Sequence, residues 1–277
     1  MIQSHAMYKR VLGNPLSIVG LLLVFFLVLV GVFAPSIARY DPQEMMFECV
    51  YEPPSRNFWL GTDALGRDLF SRIVWGTRTS LLVGFGSTMA ALVIGVAFGG
   101  LAGYYEKWVS QVFMRLADIQ LSIPRMILLI VATTVIGQQN IIVIAAIIGI
   151  TMWPGLGRVT RSKILDLRTR EFVEAAQALG MSDSRILWKH IFPNGIGPIT
   201  VVATLDIGGA ILSEASLSFL GMGDPRSISW GNILSTGLQD MVPAPWIAIF
   251  PGIAIFLAVW SVNMLGDALR DALDVES

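Results

Sequence analysis

Charge is scarce in this chain. Only 14% of its 277 residues are Asp, Glu, Lys or Arg, against about 25% in an average soluble domain. A water-exposed surface of this size needs more charge, and the 54% of residues that are apolar come in blocks, so lipid is the expected solvent. The net charge of −1, with no basic tract, argues against a nucleic-acid partner. Cysteine is nearly missing: Cys49 stands alone, which excludes an internal disulfide and a cysteine-based metal cluster. The histidines are His5 and His190, too few for a His/Cys metal site or for a nucleophile–base–acid set. The lysines are Lys9, Lys107, Lys163 and Lys189, and none follows a glycine. A Gly-x-x-x-x-Gly-Lys-Ser/Thr phosphate loop is therefore absent. The chain is read as a non-enzyme with no metal and no cofactor of its own.

What is present is a series of apolar runs. Residues 16–34 carry no charge and approach the ~20 residues that a helix needs to cross the hydrocarbon core. Pro35 follows Ala34 where a signal peptide would be cleaved, so this run is read as a retained first span. Residues 35–78 hold four prolines with acids, arginines and aromatics and read as an extramembrane loop. Further spans are expected at 80–104, 121–136, 141–157, 195–220 and 246–265, with polar connections at 158–192 and 221–245. Gly95, Gly99 and Gly103 lie four residues apart in the second span, on one helix face, where small residues let two helices approach in lipid. The expected organisation is an N-terminal segment, 1–79, with the first span and an external loop, then a core, 80–277, with five spans. Putting both termini and residues 158–192 in the cytoplasm places thirteen of the nineteen basic residues there, Arg125 among them.

The stretch from Thr169 to Asn194 reads as two short helices. Phe172, Ala175, Ala176 and Leu179 follow the i, i+3, i+4, i+7 rule, and this stripe is expected to face the membrane part of the protein. Thr169 is a candidate N-cap, with Glu171 and Glu174 in the first turn. Gly180 stands where a left-handed residue ends a helix. Ser182 is placed to cap a second helix carrying Ile186, Leu187 and Ile191, which Pro193 closes.

Glu174-Ala175-Ala176, Gly180 and Ile191-Phe192-Pro193 resemble the EAA loop of permease subunits in ATP-binding-cassette importers. Two positions depart from the broad pattern, His190 for isoleucine and Phe192 for leucine. His190-Ile191-Phe192-Pro193-Asn194 is closer to the dipeptide/oligopeptide/nickel branch, which often has His-Ile-Leu-Pro-Asn. Residues 61–68, with Ser71 and Arg72, are similar to that branch's motif before its second span. Residues 218–223, Trp230-Gly231-Asn232 and residues 266–271 are similar to its later motifs. The resemblance implies a fold, that of a six-span, all-helical type I importer permease of the bacterial inner membrane. It also implies partners: a second homologous permease, two cytoplasmic ATPase subunits that bind the ATP, and an extracytoplasmic binding protein. Glu174, Ala175, Ala176, Gly180, Ile191 and Pro193 would then couple this subunit to an ATPase. The implied solute is a di- or oligopeptide, with a nickel chelate as the nearest alternative.

Asp206 and Glu214 lie inside the fifth run, where an ionisable group costs at least ~2.5–3.5 kcal/mol and usually faces a cavity or a partner. They either line the translocation pathway or hydrogen-bond to the partner permease. Two other classes compete for the whole chain. A lone secondary transporter would use the two acids as a proton relay, but more often has ten or more spans with internal repeats. A scaffold without transport would make the Glu-Ala-Ala loop a coincidence. Met222, Trp230 and Trp246 are read as packing and interface anchors.

Overall fold

The computed structural model describes residues 15–105, 107–137 and 140–274. Lys9 and Arg10, and the middle of the turn expected at 137–140, lie outside the described residues. The described chain is helical, and its one extended feature is an isolated bridge between Thr62 and Asp68. The helices are α1 (Pro15–Val32), the short α2 (Ala34–Ile37), α3 (Leu69–Tyr104), α4 (Trp108–Ser122) and α5 (Arg125–Ile136). They continue with α6 (Ile141–Arg168), α7 (Glu171–Ala178), α8 (Asp183–Ile186), α9 (Phe192–Phe219), α10 (Trp230–Gln239) and α11 (Trp246–Asp274).

Five helices are long and apolar enough to cross a membrane, and α4 with α5 makes a sixth crossing only as a pair bent by 94°. The third span expected at 121–136 corresponds to α5 with the last turn of α4, and a break falls near its start. The break falls at Ile123–Pro124, because the residue before proline is pushed out of the helical region. α5 alone is about 18 Å long, short of the ~30 Å hydrocarbon core.

Several helices outrun their apolar stretches. α3 begins at Leu69, eleven residues before the expected start, so position 79 lies inside it. Asp68 caps it, accepting from the Ser71 amide at 2.8 Å and its hydroxyl at 2.6 Å. α6 runs on to Arg168 beyond the expected end near 157. The expected loop 221–245 contains α10, capped by Ser229, whose Oγ accepts from the Asn232 amide at 3.2 Å. Trp230 is fully buried there and donates from Nε1 to the Ile73 carbonyl at 3.0 Å.

The core is built on close contact between α3 and α6. A Cβ at Gly99 would collide with the Gly157 carbonyl oxygen and stand 2.8 Å from Thr160 Cβ. One at Gly95 would meet Leu156 Cβ at 2.8 Å, and one at Gly103 would meet the Arg161 carbonyl at 2.9 Å. The three glycines therefore do share the face that carries the helix contact. Leu129, Ile144, Ile148, Leu156, Ile199 and Leu217 fill the space between α5, α6 and α9. At the end of α3 opposite the 169–194 loop, Asp63 organises residues 35–68. It accepts from Arg67 Nε at 2.7 Å and from the Leu65 and Arg67 amides at 2.9 and 3.0 Å, with Arg72 Nε 3.7 Å away.

Candidate functional site

Two places in this fold carry chemistry: the 169–194 loop and the charged residues in α5 and α9. In the loop, α7 ends in a paired turn. Gly180 has φ +75°, its amide donates to Gln177 at 2.9 Å, and the Met181 amide donates to Ala176 at 3.2 Å. This is the Schellman arrangement that a glycine permits. Thr169 does not cap α7: its hydroxyl donates to the Asp166 carbonyl at 3.1 Å, and the cap position is Arg170. Ser182 stands at the cap position of α8 but makes no side-chain capping bond.

Pro193 does not close the second helix. α8 passes through a π turn, Leu187–Ile191, directly into α9, with the Phe192 amide bonded to the Leu187 carbonyl. A proline removes one amide and crowds the carbonyl four residues earlier. One wide turn just before Pro193 accommodates both effects, so α8 and the long helix form one continuous rod, Asp183–Phe219.

Val173, Ala176, Ile186, Leu187 and Ile191 are buried against Tyr104, Ile164 and Leu167, at the ends of α3 and α6. The Tyr104 hydroxyl donates to Asp183 at 2.7 Å, and Arg168 donates to the Tyr104 carbonyl at 2.9 Å. The inward face of α7 is thus Val173 and Ala176, rather than the Phe172–Ala175–Ala176–Leu179 stripe. Phe172 is 40% exposed and Leu179 77% exposed, with Ala175 and Glu174 also on the outer side. Trp188 is half exposed one turn beyond α8. Beside α7 opens a groove of about 580 Å³, lined by Tyr105, Trp108, Arg168, Glu174 and Gln177. A short helix is pinned on one face and exposed on the other, where Phe172 and Leu179 stand beside Glu174.

The two intramembrane acids sit in different surroundings. Glu214 is 1% exposed and accepts from Ser218 Oγ at 2.7 Å within its own helix, while its other oxygen has no hydrogen-bond partner. Asp206 is partly exposed. Facing its stretch of α9 is a residue the sequence reading counted as cytoplasmic: Arg125, the first residue of α5, donates from Nη2 to the Gly209 carbonyl at 2.9 Å and to Ser213 Oγ. That position is well inside the bundle, so Arg125 leaves the cytoplasmic set. No local pattern marks this contact, because its partners are 84 and 88 residues away. No group of three or more His, Cys, Asp or Glu side chains that could hold a metal occurs among the described residues.

A bundle of apolar helices with an exposed helical loop defines a multi-pass membrane protein. Comparison with known proteins identifies the family. Residues 95–275 match the binding-protein-dependent transport system inner membrane component, and residues 3–54 match the N-terminal transmembrane domain of oligopeptide transport permease C. The chain belongs to this family of inner-membrane permease subunits of ATP-binding-cassette importers, which are not enzymes.

Similar curated proteins cover nearly all of it. The dipeptide transport system permease protein DppC of Alkalihalophilus pseudofirmus is 42% identical over 96% of this chain and 88% of its own length. The glutathione transport system permease protein GsiD of Pectobacterium atrosepticum is 40% identical over 96% and 89%. The oligopeptide transport system permease protein OppC of Bacillus subtilis is 38% identical over 96% and 87%. Among solved structures, an inward-facing form of the MetNI methionine ABC transporter aligns at TM-score 0.56 and 18% identity, covering 73% of this chain and 96% of that one. That likeness shows the fold, the type I importer permease. Family membership also implies ATPase and substrate-binding partners.

Proposed function

We propose that this permease imports di- or oligopeptides, and that α7 and α8 form the element through which an ATPase subunit drives it. The observation that carries the coupling role is the two-sided character of α7. Val173 and Ala176 fix it to the ends of α3 and α6, while Phe172, Ala175 and Leu179 stand bare around Glu174. Exposed apolar side chains at that density mark a contact surface. The continuous rod from α8 into α9 supports a direct mechanical link: a push on α8 moves the helix that carries Asp206. Ile191 and Pro193 sit in the joint, and Gly180 sets the angle between the two short helices.

In this reading the loop and both termini lie in the cytoplasm. A second permease completes the pathway, two ATPase subunits bind the ATP, and an extracytoplasmic protein delivers the solute. The relatives named for dipeptide, oligopeptide and glutathione transport support a peptidic cargo over a nickel chelate. Of the two acids, Asp206 has the exposure to line the pathway. The burial of Glu214 and its bond to Ser218 support the structural alternative, here within its own chain.

The test is co-purification of the ATPase with a Phe172→Ser, Leu179→Ser permease, together with binding-protein-stimulated ATP hydrolysis. Both should fall at least tenfold while the permease still inserts, because each buried large apolar side chain is worth about 1.5–3 kcal/mol. Full co-purification and full stimulation in the double variant would show that this face is not the docking surface.

A further inference from the structure

The break between α4 and α5 lies at mid-depth in the bundle. Arg125 bonds Gly209, about ten residues or roughly 15 Å from the Phe219 end of α9. On the other side of the break, Gln120 donates to the carbonyls of Ile150 and Thr151 at 3.2 and 2.8 Å. These are about 14 Å from the Ile141 end of α6. A helix break at this depth leaves backbone groups unsatisfied, and lipid supplies no partners for them. Such breaks persist where the backbone is covered by protein or borders a water-filled path. Ile123, Pro124 and Arg125 are all exposed in this chain. A guanidinium cannot face acyl chains cheaply, so this corner does not face lipid.

The charges around it are arranged in a particular way. Asp206, Gly209 and Ser213 are spaced three and four residues apart, on one stripe of α9. Arg125 spends Nη2 on Gly209 and Ser213, so its guanidinium is fixed against the helix; no hydrogen bond from its Nη1 or Nε is present. Asp206 lies one helical turn from Gly209, the residue that Arg125 bonds, which brings its carboxylate to the same side of α9 as the guanidinium. Yet no ion pair or hydrogen bond joins them, and among the described residues the Asp206 carboxylate has no hydrogen-bond partner. Two opposite charges held near each other, each with spare bonding capacity, form a dipolar receptor.

We infer that Arg125 and Asp206 hold the two ends of a zwitterionic dipeptide in transit, the guanidinium taking its C-terminal carboxylate and Asp206 its N-terminal ammonium. This rests on the peptide reading above and deepens it. Arginine suits the carboxylate end because its planar fork can give two parallel N–H bonds, which a lysine ammonium does not reproduce. Side chains of the peptide make no part of this contact.

The experiment uses the complete transporter in liposomes, with dialanine as the probe, and reads uptake per ATP hydrolysed. Arg125→Gln and Asp206→Asn should assemble and keep binding-protein-stimulated ATP hydrolysis within about twofold of the parent. Their dialanine uptake per ATP should fall at least about tenfold, the size of one charge-assisted hydrogen bond. Arg125→Lys should recover part of the loss. Parental uptake in both neutral variants would overturn the inference. So would loss of stimulated hydrolysis together with uptake, which assigns a structural tie between α5 and α9. A parent transporter that takes up neither dialanine nor longer peptides refutes the peptide reading itself, a result distinct from all of these.

Discussion

Gly180 shows how much one backbone angle decides here. Its φ of +75° is in the left-handed region, and the two bonds that close α7 depend on it. A Cβ at this position would meet nothing within 4 Å, so any cost of substitution comes from the backbone and not from a clash. Valine at 180 should therefore cost about 1–2 kcal/mol or more and swing α8, with Asp183, away from Tyr104. Asparagine, which tolerates the left-handed region, should be nearly neutral. The measurement is ATPase co-purification and binding-protein-stimulated hydrolysis for both variants. Equal behaviour of Gly180→Val and Gly180→Asn would remove the conformational argument. Glu174 is weaker by the same reasoning. It is exposed, and an exposed ion pair with a partner is worth only about 0.2–1 kcal/mol, so its loss should be milder than that of the glycine.

At the scale of elements, α3 and α6 are held by what they lack. Gly95, Gly99 and Gly103 bring α3 against the backbone of α6 at Trp153, Gly157 and Arg161. Gly99→Leu should prevent this approach, lowering the yield of folded permease and its melting temperature in detergent. Gly86→Leu serves as the control, since a Cβ there meets nothing within 4 Å. Equal stability of the two variants would show that the close contact is not needed. This face was legible in the sequence because four-residue spacing is a local signal. The helix starts were less so. Apolar content drops before Ser80, yet α3 continues back to Leu69, since Arg72 is neutralised by Asp63 and bonded to the Pro42 carbonyl at 3.2 Å. α10 carried a readable start, Ser229 before Trp230, Ile233 and Leu234, but the prolines around it suggested a loop. The inward stripe of α7 was misassigned by one position. Periodicity finds a face and does not say which neighbour covers it; the apolar residues Phe172 and Leu179 await another chain. The Arg125 contact had no local signal at all, because it is made by tertiary approach of segments far apart in sequence.

For the molecule as a whole, charge decides which end faces which compartment. The fold gives two unlike ends. One carries the compact 35–68 segment, ordered around Asp63 and tied to the far part of the chain by Tyr51, whose hydroxyl donates to Asp240 at 2.8 Å. The other carries α7, α8 and the basic residues Arg158, Arg161, Lys163, Arg168 and Arg170. A positive excess on short connections marks the cytoplasmic side, and this excess survives the removal of Arg125 from the count. It agrees with the functional argument, since an ATPase can reach α7 only from the compartment that holds ATP. Ser55 and Ser182 are exposed at the two ends. In a Cys49→Ala background, a cysteine at position 55 should be labelled by a membrane-impermeant thiol reagent added to intact cells, after access through any outer membrane is provided. A cysteine at position 182 should be labelled only after the inner membrane is opened. Labelling at 182 but not at 55 in intact cells would invert the molecule and, with it, place α7 out of reach of any cytoplasmic ATPase.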